Sequence, residues 1–267
     1  MKKILSFTWL FLTILACNNT QKSTTEVQAT MTSTLPTQIQ EKPSKADLII
    51  EKAIEAHGGD LYNNADYSFT FRKKEYRFIN KGNEYTYSVK QKNNGNQTCD
   101  FITNGKFERF VNEEPIDLSQ KHIDAGMGAL NSVIYFATLP HKLKDSAVIK
   151  KFIETTNIKD ASYHVIEVTF NQQGGGKDHD DEFHYWINKQ TNKIDYLAYN
   201  YSVNKGGVRF RSFYNRRVID GITFQDYINW KAPTGTPLKN LPALFEQGKL
   251  DELSRIETEN VINTKNK

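Results

Sequence analysis

Beyond residue 66 apolar side chains recur at every second position. In the run 67–79, Phe69 and Phe71 alternate with Thr70 and Arg72, and Tyr85, Tyr87 and Val89 continue the pattern. The same period runs through 99–111, 163–170, 183–188, 194–203, 208–218, 222–230 and 254–262. A period of two sends alternate residues to opposite faces, which is the mark of a half-buried strand. Asn80-Lys81-Gly82-Asn83, Asn104-Gly105, 188–193 and Asp220-Gly221 fall between the runs, with residue types that favour tight turns. The pattern predicts long antiparallel strands in one continuous sheet.

Two stretches carry helical spacing instead. Ser44-Lys45-Ala46-Asp47 has the form of a capping box, with Asp where Glu is usual. Leu48, Ile49, Lys52, Ala53 and Ala56 follow on one stripe, and Gly58-Gly59 supplies the stop. His57 falls in the last turn, where an imidazolium would complement the helix dipole. The second stretch, 124–143, runs to Leu139-Pro140 and is read as a helix crossing the sheet, although Gly126 and Gly128 weaken its first turn. The strands bear large side chains on both faces, and the chain has 13 Tyr and 16 Phe. With helices on one face, the other is expected to meet solvent or an aromatic-lined cavity; cross-strand aromatic pairs account for the same counts without a cavity.

The amino terminus has a different pattern. Lys2 and Lys3 precede the apolar run Ile4–Ala16, which is shorter than the roughly 18 residues a spanning helix needs. Charged residues, an apolar stretch and a small residue follow the order of a secretory signal. Ile14-Leu15-Ala16-Cys17 resembles a bacterial lipobox, which implies cleavage before Cys17 and acylation of that residue. Residues 1–16 are therefore read as a signal peptide, and residues 17–43, rich in Thr, Gln, Asn and Ser, as a lipidated flexible tether. Residues 44–267 remain as a single domain. Losing Lys2 and Lys3 lowers the formal charge of +4, and no basic block stands out, so nucleic acid is not an expected partner. Cys99 is the other cysteine, and once Cys17 is acylated no intramolecular disulfide can form.

Several motifs occur in an order that is similar to a functionally uncharacterised family of lipoproteins from Bacteroidetes-type bacteria. They are Ala56-His57-Gly58-Gly59, 130–136, Leu139-Pro140, Tyr185-Trp186-Ile187, 194–199 and Arg209-Phe210-Arg211. The resemblance spans about residues 45–262 and supplies no catalytic residues. More remotely, the layout resembles the lipoprotein-carrier and lipoprotein-receptor fold. That likeness implies an α+β architecture: a curved antiparallel β-sheet, or half-barrel, with an N-terminal helix and a mid-chain helix packed on it.

Three features bear on chemistry. The run Gly174-Gly175-Gly176-Lys177-Asp178-His179-Asp180-Asp181-Glu182, with His184, offers hard oxygen ligands and two imidazoles. Asp178, His179, Asp180, Asp181 and His184 are therefore a candidate metal site, though the spacing matches neither an EF-hand nor a zinc motif, and a solvated hairpin loop entering the strand at Phe183 is the favoured reading of the run. Arg209 and Arg211, two apart on a strand, share a face and suit a carboxylate or phosphate head group. With Tyr196 and Phe213 they form a candidate ligand-binding set. No Gly-x-Ser-x-Gly elbow occurs, and Cys99 has no neighbouring cation to activate it. The expectation is a non-catalytic lipoprotein of the cell envelope, anchored at the periplasmic face of the outer membrane. It would bind an apolar or amphipathic ligand, lipid or acylated protein, with no cofactor. The rival classes are an envelope hydrolase or metal-dependent enzyme working near 178–184, and a structural or partner-binding lipoprotein with a filled core.

Overall fold

A computed structural model describes residues 42–171, 181–202 and 206–265. The predicted signal and tether lie outside these residues. Helix α1 spans Lys45–His57, and both arms of its capping box form: Asp47 N donates to Ser44 Oγ, and Ser44 N donates to Asp47 Oδ2. A short 3-10 turn, Gly59–Asn64, leads into β1 (Asp66–Phe71), β2 (Lys74–Lys81), β3 (Glu84–Asn93), β4 (Asn96–Thr103), β5 (Lys106–Val111) and the two-residue β6 (Glu114–Pro115). Helix α2 (Gln120–Ala137) follows, starting and ending earlier than the sequence pattern predicts. Then come β7 (Val148–Ile158), β8 (Ala161–Phe170), β9 (Phe183–Asn188), β10 (Ile194–Tyr201), β11 (Gly207–Ile219) and β12 (Ile222–Ala232). Helix α3 (Leu241–Glu246), β13 (Asp251–Ile256) and β14 (Glu259–Asn263) complete the chain. None of the described helices is long and apolar enough to cross a membrane.

The single curved half-barrel is not what forms. The strands make two separate seven-stranded antiparallel sheets, neither closed nor strongly curled, in the orders β14-β1-β2-β3-β4-β5-β6 and β13-β12-β11-β10-β9-β8-β7. Alternation reports which face a side chain occupies, not which strand lies beside it, so one sheet and two give the same pattern. Each sheet is a meander of neighbouring hairpins, and α2 carries the chain from the first to the second. The first ends at β6, where Pro115 has no N–H to offer a further strand. The run 67–79 is likewise two strands. Arg72 and Lys73 take positive φ (49° and 64°) and turn β1 into β2.

The return to the first sheet is made by the carboxyl-terminal residues. β13 pairs with β12 in the second sheet, and only two residues later β14 begins to pair with β1 in the first. Buried Asp226 holds this crossover: its carboxylate accepts hydrogen bonds from Thr258 N (2.9 Å), Thr258 Oγ1 (3.1 Å) and Asn215 Nδ2 (2.6 Å). Arg217 pairs with it at 3.2 Å and also donates to Thr258 Oγ1 and to the Thr258 carbonyl.

Three apolar clusters fill the molecule. Tyr67, Phe69, Phe78 and Ile102 of the first sheet pack against Leu130 and Ile134 of α2. Ala46, Ile50 and Ala53 of α1 pack on one face of the second sheet, with Ile166, Tyr185 and Leu197, and Tyr135 and Phe136 of α2 join its border. The opposite face of that sheet carries Trp186, Tyr196 and Phe210, and it is covered by Leu238, Leu241, Phe245 and Leu250. The aromatic residues on both faces of β9–β11 are therefore core on both sides. The covering segment, 238–250, has no counterpart in the sequence-based picture.

Gly126 is required by a close approach. A Cβ there would lie 2.4 Å from the buried Phe107 ring, whereas one at Gly128 would meet nothing within 4 Å. Gly126→Ala is expected to destabilise by about 1–3 kcal/mol through overpacking, while Gly128→Ala stabilises by up to roughly 1 kcal/mol through helix propensity. Urea unfolding of the two variants measures both.

His57 does not act as a cationic helix cap. It is 1% exposed, its Nδ1 is 2.8 Å from Ala53 O, and burial, with the nearby Lys193 and Arg216 charges, pulls its pKa down to about 3. His141, stacked on Tyr62 at 4.7 Å, is also lowered to about 3, first by burial and then by Lys144 and Lys142. The unfolded chain binds protons at these sites near pH 6.5 and the folded chain does not, so stability present above pH 6.5 is lost as pH falls toward 3. Thermal melts should show Tm decreasing from pH 7 to pH 4, with a slope of at most about 1.4 kcal/mol per pH unit from each histidine. His57→Gln and His141→Gln should each flatten that slope, whatever they do to stability at pH 7.

Candidate functional site

Arg211 sits on β11 directly opposite Asn229 of β12 and Leu197 of β10. Its side chain projects to the face that meets α2. One guanidinium nitrogen, Nη2, donates to Tyr199 Oη at 2.9 Å, and the Phe136 ring covers the guanidinium with its centroid 3.8 Å from Cζ. The other two nitrogens, Nε and Nη1, are buried and have no hydrogen-bond partner. Arg211 is 7% exposed, the only buried arginine among the described residues, and no described carboxylate pairs with it. A buried guanidinium normally has such a partner, since an isolated charge is costly to desolvate. Arg77, Arg109, Arg216 and Arg217 each have one: Asp66, Asp100, Asp195 and Asp226.

Arg211 lines a cavity of about 230 Å³, while its Nε and Nη1 are themselves closed off from it. β12 supplies Tyr227 and Asn229, whose Oδ1 is also buried without a partner. Val133 and Phe136 of α2 form an apolar wall, and Phe71 and Arg72 come from the β1–β2 turn. Ile256 and Thr258 close the cavity from the crossover between the sheets. Among the described residues two arginines line the cavity, Arg211 buried and Arg72 exposed, and no carboxylate or imidazole. Burial raises the Tyr227 phenol to about 12, so it stays protonated at neutral pH. Such a cavity can hold an anion and an apolar group.

The other predicted ligand residues are elsewhere. Arg209, half-buried, donates to Val208 O and Tyr201 Oη and lies over the Tyr201 ring. Tyr196 is on the opposite face of the sheet, stacked on Phe210 at 5.5 Å beneath Phe245. Phe213 packs under the Arg216 guanidinium at 3.9 Å. Arg72, Phe136, Tyr227 and Asn229 were not anticipated. They come from three elements, and nothing in the local sequence of one points to the others.

Of the candidate metal ligands, Asp178, His179 and Asp180 lie outside the described residues. Asp181 is buried at the entry to β9. His184 is brought instead to Glu182, with Nε2 3.0 Å from Oε1, and to Glu167 on β8, 3.7 Å from Oε2. Asn200 Nδ2 donates to Glu182 Oε2 at 3.1 Å. The three ligand atoms lie within 4.8 Å of one another, a spacing that suits a hydrogen-bonded histidine as well as a cation. A second cavity, about 480 Å³ and more polar, lies by Asn63, Asn80, Tyr85 and His141. Its cations are already engaged: Lys142 with Asp145 at 3.5 Å, and Lys144 with Asn63. Among the described residues, Arg211 is the buried arginine that has no carboxylate partner.

A family model described as "Family of unknown function (DUF6503)" matches residues 30–258, and the chain belongs to that family. No curated protein matches it. Among solved structures it is similar to a LolA superfamily protein from Nitrosomonas europaea, at 12% identity and a TM-score of 0.48, over 82% of this chain and 93% of that one. It is also similar to a DUF1329 family protein from Desulfovibrio piger, at 12% identity and a TM-score of 0.39, over 83% of this chain and 94% of that one. At such TM-scores neither likeness bears on ligand or mechanism.

Proposed function

We propose that this member of a family of unknown function is a lipid-anchored lipoprotein of the cell envelope that binds an amphipathic anion without catalysis. The anchor is Cys17, supported by the signal-like run Ile4–Ala16 and the lipobox-like Ile14-Leu15-Ala16-Cys17. The periplasmic face of the outer membrane is its proposed location. The observation that carries the binding function is Arg211, a buried guanidinium with no carboxylate partner among the described residues, in the lining of a largely apolar cavity.

An anion beside the guanidinium would supply the counter-charge that the described residues do not, and hydrogen bonds to a charged group contribute roughly 1.5–3 kcal/mol. Apolar groups entering beside Phe136, Val133 and Tyr227 would add roughly 0.8 kcal/mol per buried CH₂. The volume narrows the broader expectation of a lipid or an acylated protein. At about 230 Å³ the cavity is smaller than the roughly 300–1,000 Å³ of common ligand pockets, so an anionic head with a short apolar body fits and a whole acyl chain does not.

Arg211→Met tests this. Wild-type protein should bind octanoate or octyl phosphate saturably in isothermal titration, and the variant should bind at least tenfold more weakly. Its Tm should stay level or rise, because methionine replaces an unpaired buried charge with apolar volume. Unchanged affinity together with a large loss of stability would mean that Arg211 serves the fold alone.

A further inference from the structure

We propose that Glu167, Glu182 and His184 bind a divalent transition-metal ion of the Zn²⁺ type on the face of the second sheet opposite Arg211.

Period and register bring the three residues together. Glu182 and His184 are two apart at the entry to β9 and reach the same side of the sheet. Glu167 of β8 lies directly across from His184, and Ala198 of β10 flanks it on the other side. Ala198 in turn pairs with Phe210, whose side chain is on the face covered by 238–250. Arg211 is the next residue along β11 and points the other way. The metal site is thus separate from the anion cavity and does not rest on that reading.

The distances suit a metal. In a tetrahedral site with bonds of about 2.0–2.2 Å, donor atoms lie roughly 3.3–3.6 Å apart. His184 Nε2 is 3.0 Å from Glu182 Oε1 and 3.7 Å from Glu167 Oε2, and all three atoms lie within 4.8 Å of one another. The far oxygen of each carboxylate is already held. Glu182 Oε2 accepts from Asn200 Nδ2 at 3.1 Å, and Glu167 Oε1 faces Lys151 Nζ at 3.5 Å. Such outer partners orient carboxylates that bind metal, and here they leave one oxygen of each turned toward the imidazole.

A hydrogen bond alone leaves this arrangement incomplete. His184 is 5% exposed, and its Nδ1 has no partner among the described residues, so the polar contacts of the ring run through Nε2 into the cluster. One Nε2 proton serves Glu182, while Glu167 at 3.7 Å stands beyond hydrogen-bond reach. A dication would engage both carboxylates and the ring nitrogen at once. The nitrogen donor favours Zn²⁺ and its neighbours over Ca²⁺ and Mg²⁺, which take oxygen ligands. Three protein ligands leave a further position for water.

The test is isothermal titration of the untagged full chain, made without its acyl anchor by Cys17→Ser and stripped of metal with EDTA, with ZnCl₂, CaCl₂ and MgCl₂ at neutral pH. Zn²⁺ should bind at one equivalent, at least tenfold more tightly than Ca²⁺ or Mg²⁺. Glu167→Gln, at a half-buried position and of equal size, should fold as the parent does and weaken Zn²⁺ binding at least tenfold. His184→Gln should weaken it at least as much. No Zn²⁺ binding would overturn the proposal, and so would Zn²⁺ binding that Glu167→Gln leaves within threefold of the parent, because the ion would then be held elsewhere. Ca²⁺ binding as tightly as Zn²⁺ would overturn the assignment of the metal.

Discussion

The crossover that joins the two sheets is held by the hydrogen bonds of Asp226. At the link between β13 and β14 the chain leaves one sheet and enters the other, and its backbone at Thr258 has no regular ladder to join. The Asp226 carboxylate takes the Thr258 N–H and hydroxyl, and Arg217 takes the Thr258 carbonyl. The bulge in β11 between Tyr214 and Arg217 serves the same point: Asn215, at φ 50°, sends its amide to Asp226. A buried carboxylate with this many donors is well compensated, and removing it would leave Arg217 and a buried backbone amide unsatisfied together. Because Ile256 and Thr258 are also walls of the Arg211 cavity, the crossover shapes the site as well as the fold.

Arg211 is the counterpart of that arrangement. Five other arginines on these strands meet a carboxylate at 2.6–3.2 Å, two of them bidentately. Arg211 is more buried than any of them, yet it meets a phenol, an aromatic face and an open volume. Folding alone would favour an apolar residue there. Keeping a guanidinium in that position makes physical sense when its counter-charge arrives from outside the chain.

Much of this is visible in the sequence, and what is not has definite causes. The capping box at Ser44 and Asp47, the hairpin turns and the strand alternation depend on neighbours a few residues apart, and they can be read locally. The number of sheets depends on which strands pair, and alternation is silent on that. β7 escapes notice because Lys150, Lys151 and Glu154 break its apolar pattern at a sheet edge, and 238–250 because its few apolar residues gain meaning only against Trp186, Tyr196 and Phe210. At the site, the chemistry of Arg211 is legible as a strand arginine able to hold an anion. Arg209 and Arg211 share a face but reach different neighbours, Tyr201 and Tyr199. Phe136 and Arg72 join Arg211 only through tertiary structure.

The central claim is that the charge on Arg211 is met by a bound amphipathic anion. Native mass spectrometry of the protein isolated from its own membranes measures this directly. A bound small amphipathic anion that is missing from Arg211→Met prepared in parallel is the predicted result. Protein that carries no such species, or carries it equally in the variant, would contradict the account.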